Sequence, residues 1–241
     1  MPDVCFKDLC IDATDDGVSP RRVAQFWSGA LNQPLVERAD GKFVLDPPPG
    51  GPAERRIWIN AVPERAGVKS RVHLDLHLPL AHVEVLLGAG ASLLRNPTED
   101  EPWHVLADPD GVPLCVMGPH PDHPDAPFGP FELVVDSGDP SAQAQWWADR
   151  TGGAVHHDPG VPWAWVTGGA GFPLLFWVFT PVPEPKTVKN RVHWDVTLAD
   201  AGVDELVRTG STMLRSPGGT RDWWVLADPE GNEFCAFEPR N

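Results

Sequence analysis

Two His-x-Asp pairs carry the side chains best suited to chemistry in this sequence. His73 stands two residues before Asp75 in RVHLDL, and His193 stands two residues before Asp195 in RVHWDV. Residues i and i+2 of a β-strand point to the same face, so each histidine is expected beside its aspartate. Such a pair could act as catalytic acid and base, bind a ligand or a metal, or form a buried polar network that only stabilises the fold. The residues alone leave these alternatives open.

Both pairs belong to a sequence that is repeated once. The two motifs stand 120 residues apart, and the segment 90–111 matches 210–231 in the same register. A constant offset across separate segments indicates a duplication, with predicted domains at residues 1–118 and 128–241. A proline-rich linker is predicted for residues 119–127, with its two histidines, His120 and His123, in solvent rather than on a metal.

Turn and cap residues predict the elements that hold the pairs in place. Asp139-Pro140 is typical of a helix start, and Gly152-Gly153 is typical of a helix end. The segment 228–232, DPEGN, is typical of a hairpin turn. The resulting order is β-α-β-β-β twice in each copy, with a longer connecting loop at 12–18 in the first copy. An α+β fold with helices packed on curved, mostly antiparallel sheets is therefore predicted.

The composition limits the classes of partner. The formal net charge is −15 and the pI about 4.8, whereas a nucleic-acid backbone or an anionic membrane requires a basic surface. No apolar run approaches the ~20 residues of a membrane span, and the first residues lack the pattern of a secretory signal peptide. We therefore expect no nucleic-acid and no membrane partner. The four cysteines form no CxxC pair, which favours a reducing, cytoplasmic setting.

The repeated motifs resemble those of the vicinal oxygen chelate superfamily, which includes glyoxalase, bleomycin resistance and dioxygenase proteins. In each copy the resemblance rests on an aromatic pair in the first helix, the RVHxD strand, an LADP(D/E)G turn and the cysteine after it. The aromatic pairs are Phe26-Trp27 and Trp146-Trp147, and the turns lie at 106–111 and 226–231. The chain is accordingly identified as a tandem glyoxalase-like protein of actinobacterial type. The resemblance implies four βαβββ modules that form two glyoxalase-like domains, with cup-shaped sheets around a small-molecule site.

Metal binding is the property in which this sequence departs from the family pattern. The resemblance implies ligands early in the first strand of a module, at the histidine of RVHxD, and at a late glutamate. These positions hold Asp8 and Glu132, His73 and His193, and Cys115 and Cys235. Because a cysteine replaces the late glutamate in both copies, no metal cofactor is favoured. If a divalent ion (Zn, Ni, Mn or Fe) does bind, the expected ligands are Glu132, His193 and Cys235.

Aromatic and basic residues complete the candidate site. The candidates for ligand binding are Trp103, Trp194, Trp223, Trp224, Arg71 and Arg191, and those for catalysis are His73, Asp75, His193 and Asp195. Tryptophan offers a broad apolar wall, and the arginines could attract an anionic ligand or simply pair with an acid. The second copy has the shorter loop and one more tryptophan in its motif, so it is the better candidate for function.

These observations favour a cytoplasmic protein that binds a small organic ligand in a tryptophan-lined cup without the usual metal chelate. They leave open whether it is an enzyme. The alternatives are a metal-dependent lyase, isomerase or dioxygenase of the superfamily, and a non-catalytic protein that binds a drug or metabolite. Family members often build one cup from modules of different subunits, and a fused duplication can do so within one chain. A monomer or a homodimer is therefore expected.

Overall fold

The computed structural model describes residues 1–65, 69–118, 126, 128–200 and 202–239. In these ranges the helices are α1 (Ser19–Leu31), α2 (His82–Gly88), α3 (Pro140–Thr151) and α4 (Gly202–Arg208). None of these described helices is long and apolar enough to cross a membrane. The predicted linker 119–127 lies outside the described residues except for residue 126, and so do His120 and His123.

The strands follow the predicted β-α-β-β-β order in both copies. The first copy contributes β1 (Val4–Thr14), β2 (Leu35–Glu37), β3 (Phe43–Leu45), β4 (Ile57–Val62), β5 (Val72–His77), β6 (Ser92–Arg95), β7 (His104–Ala107) and β8 (Pro113–Met117). The second copy contributes β9 (Gly129–Ser137), β10 (Ala154–His156), β11 (Ala164–Thr167), β12 (Phe176–Pro181), β13 (Val192–Leu198), β14 (Thr212–Arg215), β15 (Trp224–Ala227) and β16 (Glu233–Phe237). The α+β class with its four modules is confirmed. The predicted loop 12–18 was too long, because β1 continues to Thr14.

Each sheet combines strands from both sequence copies. Sheet I has the order β14-β15-β16-β13-β1-β4-β3-β2, and sheet II has the order β10-β11-β12-β9-β5-β8-β7-β6. The copies meet at antiparallel central pairs, β1 with β13 in sheet I and β5 with β9 in sheet II. Any site at the centre of a sheet therefore draws on both copies. The second copy, the better candidate from its sequence, therefore contributes only part of each such site.

The central strands bury one face in a common core. Apolar residues such as Ile11, Leu74, Leu133 and Trp194 lie on this face, each at most 1% exposed. They pack with residues of α1 and α3 into one hydrophobic cluster. Because side chains alternate along a strand, the residues between them point to the opposite face, where the His-x-Asp pairs lie.

Two buried tryptophans tie the first helix of each copy to a later hairpin of the same copy. Trp27 Nε1 donates to Asp108 Oδ2 at 3.0 Å, and Trp147 Nε1 donates to Asp228 Oδ2 at 3.2 Å. The other oxygen of each aspartate accepts hydrogen bonds from backbone N–H groups of its own turn. Burial, partly offset by these hydrogen bonds, raises the pKa of Asp228 to about 6. The helix tryptophan and the DPxG turn thus form one structural unit.

The predicted boundaries of α3 are confirmed at both ends. Asp139 is the N-cap, and its carboxylate accepts a hydrogen bond from the backbone N–H of Ala142 at 3.1 Å. Gly152 ends the helix in the left-handed conformation with a φ of 69°. Glycine adopts this conformation without the steric cost that a side chain adds.

Candidate functional site

The polar faces of the two sheets hold two related groups of side chains. Site I, on sheet I, consists of Asp8, Cys10, His193, Asp195 and Cys235. Site II, on sheet II, consists of His73, Asp75, Cys115, Glu132 and Val134. Strand pairing places them in equivalent rows, with Asp8, Asp195 and Cys235 side by side in site I and Glu132, Asp75 and Cys115 in site II. Asp195 is 5% and Asp75 is 4% exposed, so the central aspartate of each row is buried.

Three different kinds of metal ligand converge in site II. His73, Asp75 and Cys115 each offer a ligand atom, and these atoms lie within 4.8 Å of one another. Nε2 of His73 lies 3.2 Å from Oδ1 of Asp75, although that oxygen is not in line for a hydrogen bond. Nδ1 of His73 is buried without a partner among the described residues. Burial and the charge of Asp75 raise the pKa of Cys115, so its sulfur is a neutral thiol.

Glu132 adds a second carboxyl group beside Asp75. Burial, the negative charge of Asp75 and a hydrogen bond with it raise the pKa of Glu132 to about 8. Two carboxyl groups in contact do not readily ionise together, so near neutral pH the pair retains a proton. Within the described ranges, neither carboxyl group forms an ion pair with a lysine or an arginine. Arg95 comes near Cys115, but it pairs with Glu101 at 2.8 Å.

Site I repeats this arrangement and adds a lysine. Cys10, His193 and Asp195 offer ligand atoms within 4.8 Å of one another, and Cys10 Sγ donates to Asp195 Oδ1 at 3.7 Å. Lys7 forms an ion pair with Asp8, and its Nζ lies 3.9 Å from Asp195 Oδ2. Burial raises the pKa of Asp195 to about 6, although the charges of His193 and Lys7 oppose the rise. The carboxylates of site I therefore have a cation that belongs to the protein.

Aromatic side chains flank both sites. In sheet I, Trp223 stacks on Phe237 with ring centroids 5.4 Å apart, and Phe237 lies on the face of Cys235. In sheet II, Trp103 stands two residues before Val105, which pairs with Cys115, and the guanidinium of Arg95 lies 5.7 Å from its ring. Trp103 and Trp223 thus stand in equivalent positions, each directly before the strand that pairs with the strand of Cys115 or Cys235.

Trp165 forms the opposite wall of site II. The pairing of β11, β12 and β9 places Trp165, Val178 and Val134 in one row beside His73. The ring of Trp165 stacks on His156 at 5.6 Å. Site II thus has an aromatic residue on each side of a group that can exchange protons or hold a metal.

Two of the predicted wall residues lie on the other face of sheet I. Trp194 is fully buried in the core, where its ring lies 5.1 Å from each of Trp147 and Trp177. Trp224 pairs with the buried residue Ala236 and packs against the core. The prediction that they bind the ligand was wrong, because a tryptophan next in sequence to a cup residue points away from the cup.

The predicted anion-binding arginines instead connect the two copies. Arg191 is 7% exposed, donates from Nη1 to the carbonyl oxygen of Glu64 at 2.8 Å, and forms an ion pair with Asp110. Arg71 donates from Nη1 to the carbonyl oxygen of Glu184 at 2.5 Å. The guanidinium groups thus have protein partners in the opposite copy, and Arg191 pairs with an acid, as the alternative to anion binding predicted.

The predicted metal ligands Glu132, His193 and Cys235 do not converge. Glu132 lies on β9 of sheet II, whereas His193 and Cys235 lie on β13 and β16 of sheet I. The prediction assumed that both modules of one copy share a sheet. Because each sheet combines strands of both copies, Glu132 instead lies with Asp75 and Cys115 of the first copy.

Sequence reasoning missed Lys7 and Cys10. Cys10 alternates with Asp8 and Asp12 along β1, and this period of two was a readable signal that all three share a face. Lys7 breaks that alternation, because a β-bulge shifts the pairing between Phe6 and Asp8. A bulge of this kind redirects a side chain and leaves little trace in the sequence.

Comparisons with known proteins agree with this architecture. The model of the glyoxalase-like domain matches residues 8–117 and again residues 132–237. A mutant form of glyoxalase I from Zea mays has a TM-score of 0.66 at 14% identity over 98% of this chain and 94% of that one. A "putative dioxygenase" from Bacillus subtilis has a TM-score of 0.63 at 13% identity over 100% and 86%. No curated protein matches the chain in sequence.

The fold and the two cups define a protein of the vicinal oxygen chelate superfamily. Because the family model covers most of both copies, the chain belongs to the glyoxalase-like domain family. At 12–14% identity the similarity to glyoxalase I is a similarity of fold, and function must be argued from the sites.

Proposed function

We propose that the protein is a metal-dependent enzyme that moves a proton to or from a small organic ligand in the cup of sheet II. The observation that carries this proposal is the convergence of His73, Asp75 and Cys115 beside the proton-bearing carboxyl group of Glu132. The expectation of a metal-free cup is thereby replaced by the metal-dependent alternative. A cytoplasmic location, in which the free cysteines stay reduced, is part of the proposal.

The residues of site II fit a divalent ion. Three protein ligands with a further position left for ligand or water are typical of catalytic zinc sites. A set of one sulfur, one nitrogen and one oxygen donor suits Zn²⁺ better than Mg²⁺ or Ca²⁺. The unpartnered Nδ1 of His73 and Oδ1 of Asp75 are buried polar atoms of the kind that a metal satisfies. When bound, the ion would polarise an oxygen atom of the ligand.

Glu132 is the residue suited to proton transfer. It lies next to Asp75 in the paired strands but outside the group of three converging ligand atoms. A pKa of about 8 keeps it close to the point at which a carboxyl group both gives and takes a proton at neutral pH. A bound cation would lower this pKa, which would convert Glu132 into a base.

The donor set favours proton transfer over dioxygenase chemistry. Non-haem iron oxygenases use two histidines and one carboxylate, whereas the converging group in site II contains His73 as its histidine, with a thiol in place of the second. The aromatic walls at Trp103 and Trp165 suit a small, partly apolar ligand. A non-catalytic binding protein would share these walls, so it is the competing proposal.

Cobalt titration tests the metal part of this proposal. Co²⁺ added to the metal-free full chain should bind in site II with a thiolate-to-metal absorption band, because Cys115 loses its proton on binding. His73→Ala should abolish stoichiometric binding there, and Cys115→Ser should remove the band. The matched variants of site I, His193→Ala and Cys235→Ser, should change neither. Binding that survives His73→Ala would contradict the proposal.

Deuterium incorporation tests the proton transfer. A small carbonyl compound that quenches the tryptophan fluorescence would be incubated with the metal-loaded protein in D₂O and examined by mass spectrometry. The native protein should exchange a carbon-bound proton, whereas Glu132→Gln should bind the compound and the metal without exchange. Quenching without exchange across a panel of such compounds would favour the non-catalytic alternative.

A further inference from the structure

The two sites differ by one positive charge. Each has two acidic groups and a third nearby on the same strand, in equivalent positions: Asp8, Asp195 and then Asp12 on sheet I, and Glu132, Asp75 and then Asp136 on sheet II. In each case a lysine pairs with the third acid. Lys189 pairs with Asp12, and Lys69 Nζ lies 2.7 Å from Asp136 Oδ2. Only site I, among the described residues, adds a second ammonium group, that of Lys7.

A β-bulge places Lys7 in the cup. The pairing of β1 with β13 runs from Asp8–Asp195 to Phe6–Val196, which leaves Lys7 as the extra residue. The pairing of β9 with β5 has the same irregularity, from Glu132–Asp75 to Pro130–Leu76, with Phe131 as the extra residue. Lys7 and Phe131 are therefore structural equivalents, one cationic and the other apolar.

The ammonium group of Lys7 lies against two acidic side chains of site I. Lys7 contacts Asp8 directly, and Nζ lies 3.9 Å from Asp195 Oδ2, so it bridges the two carboxylates of the row. The ring of Phe237 lies 4.4 Å away on another side and holds the ammonium in place. A divalent ion at Cys10, His193 and Asp195 would add two positive charges close to this fixed one.

We propose that Lys7 is a built-in cation that takes the place of a metal in site I, so that the chain holds one catalytic ion, in site II. The two sites differ at the bulge, with Lys7 in one and Phe131 in the other, and also at Cys10 and its equivalent Val134. Lys7 stabilises the carboxylates of sheet I and repels an incoming ion, whereas Phe131 leaves the carboxyl groups of sheet II to a proton or a metal. The single-ion stoichiometry rests on the proposed function, but the exclusion from site I does not.

Zinc binding to a chain without a working site II tests the exclusion. In the background of His73→Ala, the full chain with Lys7 should retain no Zn²⁺ after equilibrium dialysis and elemental analysis. Lys7→Leu in the same background should retain one Zn²⁺ per chain, because Cys10, His193 and Asp195 are then free to bind it. Adding His193→Ala should remove that ion. Lys7→Arg, which keeps the charge, should bind none.

The reverse substitution provides an independent test. Phe131→Lys in the otherwise native chain should place an ammonium group beside Glu132, and site II should then no longer bind a metal ion. Circular dichroism and urea unfolding confirm that each variant is folded, and Lys7→Gln replaces Lys7→Leu if the latter is not. The proposal is overturned if folded Lys7→Leu and Lys7→Gln gain no ion, or if site I binds Zn²⁺ with Lys7 in place. If the native chain binds no metal in site II, that result instead refutes the proposed function.

Discussion

Neutralising Glu132 should stabilise the metal-free protein at alkaline pH. The pKa of Glu132 is raised from 4.5 to about 8, mainly by burial and by the charge of Asp75. For a carboxyl group whose pKa is higher in the folded state, the stabilising contribution is complete below the unfolded value. It is lost as the pH rises through the folded value, because the unfolded chain gives up its proton first. Glu132→Gln keeps the shape of the side chain and removes this dependence.

The size of the effect follows from the rise in pKa. One pKa unit corresponds to about 1.4 kcal/mol, so a rise from 4.5 to about 8 sets an upper limit of about 5 kcal/mol on the stability lost. Glu132 is only partly buried, and solvent reduces the penalty. We expect the Glu132→Gln variant to exceed the native protein by about 2 kcal/mol in its free energy of unfolding at pH 9. At pH 4 the two should be nearly equal.

Urea unfolding between pH 4 and pH 9, with a chelator present, measures this difference. Asp195 and Asp228, whose pKa values are both raised to about 6, lower the stability of both proteins over the same range and cancel in the comparison. The matched control is Asp8→Asn in site I. It should destabilise the chain at alkaline pH, because it leaves the ammonium of Lys7 without its nearest partner.

The decisive result is that Glu132→Gln should raise the free energy of unfolding at pH 9, whereas Asp8→Asn should lower it. If Glu132→Gln destabilises the protein at pH 9 as much as Asp8→Asn does, then Glu132 already has a cation, and the charge difference between the sites is refuted. If both are neutral, the carboxyl groups lie in solvent. Added Zn²⁺ should make the native protein more stable than the Glu132→Gln variant, because a bound ion stabilises the ionised carboxylates of the native site.

Two further predictions concern buried polar contacts, one within a copy and one between the copies. Trp27→Phe should lower the free energy of unfolding by about 1–3 kcal/mol more than Trp177→Phe, because Trp27 Nε1 donates to the buried Asp108 Oδ2 whereas Trp177 Nε1 has no hydrogen-bond partner among the described residues; equal losses in urea titrations would contradict this. Arg191→Met should cost about 3 kcal/mol by breaking a buried ion pair between the copies. Arg208→Met, in an exposed pair, should leave the midpoint of thermal unfolding unchanged, and a comparable loss there would refute the distinction.

Local sequence signals predicted the elements of the fold but not the partners of the strands. The Asp139 cap, the Gly152 terminus and the alternation of β13 each depend on neighbours within a few residues, and each was predicted correctly. The pairing of β1 with β13 joins residues more than 180 positions apart. Nothing in the repeated motifs distinguishes pairing within a copy from pairing between copies, because both bury the same apolar residues.

The same limit explains the outcome for the site. Alternation places His73 beside Asp75, and the structure confirms this geometry. Alternation also excludes Trp194 from the cup, so that error could have been avoided from the sequence. The association of Glu132 with Asp75 required the strand order, and the presence of Lys7 in site I required the bulge.

The crossing of the copies gives the duplication its functional consequence. If each copy formed its own sheet, all the residues of one site would come from one copy. Here β1 of the first copy completes site I, while β9 of the second completes site II. The bulge residues of these two strands, Lys7 and Phe131, therefore distinguish two sites that are each built from strands of both copies. On our proposal, the residue in the bulge then decides whether a cup carries its own cation or is left to bind one.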